Sequence, residues 1–440
     1  MNFLGLPVAY LQEHCTNRPL SYVSKKTTIP IPRVHAWSLS EGSPLKLPYI
    51  IMDYVEGKKL SQLGFPDDPK GKKPGPGKYG TSLKAHIYRQ IGGVYAQLRG
   101  LEFPKVGALG INRQASSPST RPSMSHEINE SGFQGTSSGT GLVGIDSITI
   151  RYRPMLVELA LQEVEDRKPS QFFPSEKTFK TAREYTNALI SLAMNNIDKA
   201  TDNHLDNGAD PRLYVYGYYD FQRFVVEEWL DDSLDQGPFV LMHGDLSFHA
   251  GNLLWDENHK LLAVLDWERS YTVPLQHFVP PLWLVGFYGV FGLVKKRCSW
   301  MEEAQLIRRR TSLHERVHRL QPKLSAEWEK RESFPHVIIA LTLLRPETVD
   351  VAYWGFLAMC IGGVDPDFSE TLPWRTPEDF KEFMHARVDA FYRDRPSAEA
   401  LVARKVEEQK AFDEKWAKHP EDTPECRCIG CKHDKPSSSV

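Results

Sequence analysis

The chain has 440 residues, 41% of them apolar and 25% charged, and a net charge of −2. That composition is ordinary for a globular protein with room for two or three domains, and its charge excludes a general attraction to nucleic acid or to anionic membrane. Six cysteines in a chain this long exclude a disulfide scaffold, so Cys15, Cys298 and Cys360 read as thiols buried in a reducing, cytoplasmic setting.

Met1 to Leu11 is mildly apolar but lacks a basic segment and a small-residue cleavage site, so no secretory signal is expected. Val34 to Trp37 and Tyr49 to Tyr54 read as two strands joined through Gly42-Ser43-Pro44. Residues 64–80 are rich in Pro, Gly and Lys. Within them Gly75, Gly77 and Gly80 fit a G-x-G-x-x-G pattern, but no strand precedes it, and the stretch reads as a linker. Leu83, Ile87, Ile91, Val94 and Leu98 recur at helical spacing and predict an amphipathic helix over 82–100. Residues 113–141 are Ser, Thr, Gly and Pro with few large apolar side chains, a composition expected of a disordered insertion. Helices are expected near 175–198 and 219–234, joined by a tyrosine-rich stretch at 214–219. Those tyrosines and Phe172-Phe173 read first as core and second as cleft lining.

The most informative stretch runs from Phe239 to Trp267. An apolar strand, Phe239 to Met242, delivers the chain to His243-Gly244-Asp245. Leu253-Leu254-Trp255 and Leu261 to Leu265 then read as a hairpin turning at Asp256-Glu257-Asn258. Asp245, Asn252 and Asp266 stand at the ends of this hairpin and are expected to converge. Phosphoryl transfer needs such a set: a carboxylate to orient the attacking hydroxyl, and oxygen ligands to hold Mg2+ against the phosphates. Asp245 takes the first role, Asn252 and Asp266 the second. His243 reads as an orienting hydrogen-bond partner.

These motifs, with IPIPRVHAW, PYIIMDYVEGKKL and VPLQHFVPPLWLVG, resemble the aminoglycoside phosphotransferase family, most closely its fungal group, within the protein kinase-like superfamily. The resemblance runs over roughly residues 20 to 395 and implies a two-lobe α+β kinase-like fold with a mainly helical large lobe. It implies ATP and Mg2+ as cofactors and a small-molecule hydroxyl acceptor. It also implies that Asp53 and Val55 offer backbone groups to adenine at the interlobe hinge, and that Glu268 faces the acceptor. Two departures stand out. Asn252 lies seven residues after Asp245, where the kinase pattern has about five. No glycine-rich loop or strand lysine precedes IPIPRVHAW; Lys25 and Lys26 read as solvated helix-end lysines. Residues 1–57 are thus expected to form a partial small lobe and hinge: either the chain lacks the front of its small lobe or the protein starts further upstream, and these 440 residues are expected to transfer phosphate poorly.

Residues 58–420 are expected to form the large lobe. Trp283 to Val294 is strongly apolar but too short for the roughly 20 residues of a membrane span, so it reads as buried core. Glu407 to Lys418 reads as a solvated helix. Residues 421–440 read as a disordered tail, with Cys426, Cys428, Cys431 and His433 as a weaker zinc candidate whose spacing matches no standard finger. Two rival functions follow from the same residues: a pseudokinase that binds nucleotide or a partner without turnover, and a metal-dependent hydrolase using His243, Asp245 and His249.

Overall fold

A computed structural model describes residues 17–38, 49–63, 81–111, 148–200, 210–246, 251–279, Val290, 334–361 and 377–418. The glycine pattern at 75–80, the insertion at 113–141, His249 and the cysteine tail lie outside the described residues. Helix and sheet are mixed, as the α+β class requires. Among the described residues no helix is long and apolar enough to cross a membrane.

Helix α1, Asn17–Lys26, buries Leu20 and Val23 and leaves Lys25 and Lys26 exposed in its last turn, where cations suit the negative end of the helix dipole. Strands β1, Val34–Ser38, and β2, Tyr49–Met52, pair antiparallel. Helix α2, Thr81–Arg99, buries Ile87, Ile91, Val94 and Leu98 along one stripe.

Strands β3 (Glu102–Phe103), β4 (Gly107–Ile111), β5 (Ile148–Tyr152), β6 (Phe239–Met242) and β9 (Tyr271–Pro274) form one antiparallel sheet in the order β3-β6-β9-β4-β5. Strands β7 (Leu253–Trp255) and β8 (Leu261–Val264) form a separate hairpin. Among the described residues after 58 helix outweighs strand, in keeping with the expected mainly helical large lobe, and this five-stranded sheet comes in addition to it. Of its strands only β6 was expected from the sequence, although β5, Ile148 to Tyr152, also alternates apolar and polar residues. Two residues of β3, two glycines in β4 and the closing Pro274 of β9 leave no period to read.

Helix α3, Val157–Val164, precedes α4, Ala182–Lys199. The latter starts at Thr181, whose hydroxyl accepts the Glu184 N–H at 3.0 Å. Helix α5, Pro211–Phe224, begins earlier than the expected 219, because Asp210 caps it and Pro211 opens its first turn. The tyrosine-rich stretch is thus helical rather than a connection. Tyr216 and Tyr218 are buried in the core, as is Phe173. Helices α6 (Phe334–Leu344), α7 (Val349–Ala352), α8 (Ala358–Ile361), α9 (Pro377–Arg393) and α10 (Pro396–Lys418) complete the described chain. Val290, from the apolar run at 283–294, is buried.

One pairing positions the site. Within the sheet Met242 sits opposite Tyr271 and Leu241 opposite Thr272, so the end of β6 meets the start of β9. The loop that leaves β6 and the turn that enters β9 lie side by side, and the β7–β8 hairpin is the excursion between them.

Candidate active site

All four residues of β6 are buried, which fixes the point where the chain surfaces at His243. Gly244 follows with φ +83°, and a Cβ there would lie 2.1 Å from the Arg269 carbonyl oxygen. Only glycine takes both that backbone and that contact without strain. The close approach places Asp245 against the turn Trp267–Arg269 that carries Glu268.

Asn252, buried at the foot of β7, donates from Nδ2 to Asp245 Oδ2 at 2.9 Å. The longer loop therefore still closes the two side chains onto each other. With Nδ2 committed, the amide oxygen of Asn252 is the atom left for a cation. Across the hairpin the Leu265 N–H donates to the Asn252 carbonyl at 2.8 Å. His243 Nε2 lies 2.7 Å from the Leu265 carbonyl; a carbonyl only accepts, so this nitrogen carries the proton. Leu265 is thereby pinned through both its backbone N–H and its carbonyl. Its successor Asp266 is exposed and held at φ 60°, ψ 53°, a left-handed conformation that Asp tolerates better than most residues. Trp267 seals the floor: its ring sits 4.6 Å from that of His243, and Nε1 donates to the Val264 carbonyl at 2.9 Å.

Glu268 is half-buried, and among the described residues it makes no ion pair. Its carboxyl is pushed above the ordinary 4.5, first by burial and then by the negative charges of Asp266 and Asp245. All three acids therefore share one electrostatic neighbourhood, with the adjacent Arg269 cation acting in the opposite direction. A raised acid holds its proton longer in the folded chain, so its contribution to stability is complete below pH 4.5 and is lost as pH rises through the folded value. In metal-free buffer, Glu268→Gln is expected to melt higher than wild type at pH 7, with the gap closing towards pH 4.5. Calorimetric melting across that range checks this; parallel curves would show that Glu268 is not under charge pressure.

The segment 53–58 runs from β2 to the hairpin. Asp53 is exposed, and its Oδ1 lies 2.5 Å from His35 Nε2, at hydrogen-bond distance. Its carboxyl is held below the ordinary value, chiefly by that hydrogen bond. The Asp53 N–H donates to the Arg33 carbonyl at 2.9 Å. Among the described residues the Asp53 carbonyl and the half-buried Val55 amide make no hydrogen bond. Lys58 then exchanges backbone hydrogen bonds with Trp255, at 2.8 and 2.9 Å, so this segment is stitched to the outer edge of β7.

The oxygen donors suit magnesium, a hard cation usually held by one or two side chains and completed by phosphate and water. Among the described residues no three His, Cys, Asp or Glu side chains group closely enough to hold a metal alone.

Residues 159–277 match the family model described as the phosphotransferase enzyme family. The matched segment holds Asp245, Asn252, Asp266 and Glu268. Among solved structures, it is similar to a thermostable mutant of the aminoglycoside phosphotransferase APH(4)-Ia, crystallised as a ternary complex with ADP and hygromycin B. That likeness covers 82% of this chain and 84% of the other at 15% identity with a TM-score of 0.36, too loose a superposition to assign roles by position. No curated protein sequence matches the chain.

Sequence reasoning placed Asp245 beside Asn252 but missed two backbone features of the site: the Gly244 contact with Arg269, and the Leu265 backbone that ties Asn252 to His243. A glycine between a buried strand and a carboxylate was the available signal for the first. For the second there was none, because any residue supplies a peptide group.

Proposed function

We propose that the chain is an ATP-dependent phosphotransferase that moves the γ-phosphoryl group to a hydroxyl of a small molecule. The observation that carries this reading is the 2.9 Å hydrogen bond from Asn252 to Asp245 at the base of the hairpin that also delivers Asp266. Asp245 would orient the acceptor hydroxyl and take its proton as the new oxygen–phosphorus bond forms. The bond from the γ-phosphorus to the bridging oxygen breaks, and ADP leaves with that electron pair. His243, by fixing the Leu265 carbonyl, keeps the two halves of the site in register.

The Asn252 amide oxygen and the Asp266 carboxylate would hold Mg2+, which supplies charge neutralisation on the phosphates. The Asp53 carbonyl and the Val55 amide would take adenine. Glu268, crowded by two acids, would gain from a cationic acceptor, whose charge reverses the cost of ionising it. A reducing cytoplasm suits both ATP and free thiols.

Calorimetric titration tests the metal assignment. ATP affinity should depend on magnesium in wild type and lose that dependence in Asp266→Ala. Equal ATP binding with and without magnesium in wild type would reject it.

A further inference from the structure

Helix α2 lies outside the proposed machinery, yet two of its polar side chains reach the segments that frame it. Gln90 and Gln97 are seven residues apart, two helical turns, and so share one face. Gln90 Oε1 accepts the Leu261 N–H at 2.7 Å, and Gln90 Nε2 donates to the His259 carbonyl at 2.8 Å. The carboxamide thus stands in for a peptide unit against the turn end of the hairpin, satisfying one donor and one acceptor together. Gln97 Oε1 accepts the Thr28 N–H at 2.7 Å and lies 3.1 Å from the Thr28 hydroxyl. Two residues on, the Pro30 carbonyl accepts the Val264 N–H at 2.8 Å.

Both contacts end on β8. At the turn it is held by Gln90 directly, and at the site end by Pro30, whose segment Gln97 holds. The opposite edge of the hairpin is fixed by Lys58, through its backbone to Trp255 and its ammonium to Glu257 at 2.6 Å. A hairpin of two short strands is marginal on its own, so these clips act beside the His243–Leu265 bond in holding its base. Asn252 and Asp266 occupy that base.

From this we infer that Gln90 is a positioning residue: its side-chain amide sets the hairpin that holds Asn252 and Asp266 in the geometry for magnesium-nucleotide, with Gln97 aligning the other end of β8. The inference rests on the proposed phosphotransferase reading. Gln90 touches no reacting group and acts only through β8.

The test uses the full chain with Gln90→Met, which keeps length and volume and removes both hydrogen bonds, and Gln90→Glu, which keeps the acceptor for Leu261 and sets a carboxylate against the His259 carbonyl. Amide hydrogen exchange followed on peptides spanning 253–266 is expected to speed up about tenfold in Gln90→Met, the scale of one net hydrogen bond. Gln90→Glu should shift it in the same direction. The magnesium concentration that half-saturates ATP binding should rise several-fold in both variants, while ATP binding without magnesium stays as in wild type. Gln90→Glu keeps the test open if Gln90→Met fails to fold. Magnesium-dependent binding in wild type that is unchanged in a folded variant, with unchanged exchange over 253–266, would overturn the positioning role alone. A wild-type chain without magnesium-dependent ATP binding would remove the proposed function and the positioning role together.

Discussion

Replacing Asp245 by Asn is expected to lower phosphoryl transfer by about 10²–10⁴-fold, the usual contribution of a positioned acid or base, while the fold and nucleotide affinity persist. The expectation follows from what the substitution keeps and loses. An amide oxygen at the same position can still accept the Asn252 Nδ2 hydrogen bond now 2.9 Å long, so the contact that closes the loop survives. The negative charge that orients the hydroxyl and receives its proton does not. The effect should therefore fall on kcat, with KM for ATP little changed. A variant with wild-type kcat, measured with any acceptor that wild type phosphorylates, would remove Asp245 from the chemistry.

The second large effect is structural. Gly244→Ala is expected to destabilise the chain and silence the site together. At φ +83° the backbone already lies where a side chain is unfavourable, and the added Cβ would meet the Arg269 carbonyl oxygen at 2.1 Å. The strained conformation alone costs about 1–3 kcal/mol. The clash adds to it, because the neighbour is backbone in the turn before β9 and cannot rotate away. Relief comes only by separating the loop after β6 from that turn, which moves Asp245 from Glu268. A lower melting temperature with activity reduced well beyond the unfolded fraction is the expected outcome. Gly93 is the contrast, since a Cβ there meets nothing within 4 Å, and Gly93→Ala should leave both measures near wild type.

Much of the site was legible because it depends on local pattern. The apolar run before His243 and the hairpin turn at Asp256 place Asp245, Asn252 and Asp266 near one another whatever surrounds them. The α2 stripe and the strands β1 and β2 were visible for the same reason. What stayed hidden was set by distant pairing. Strand β9 is four residues closed by a proline, and it exists because buried β6 and β4 both need a partner there. The early start of α5 had a signal in Asp210-Pro211, but the aromatic run that follows looked like a connection. The burial of Glu268 and the reach of Gln90 belong to neither local pattern, since each needs an element far away in sequence.

The most direct measurement follows the γ-phosphate of labelled ATP when the chain is supplied with magnesium and a panel of small hydroxyl compounds, cationic ones included. Transfer of label to an acceptor oxygen, with ADP formed only when that acceptor is present and lost in Asp245→Asn, is the predicted result. Label released as inorganic phosphate at the same rate without acceptor, or ATP bound with magnesium and never turned over across the panel, would contradict it.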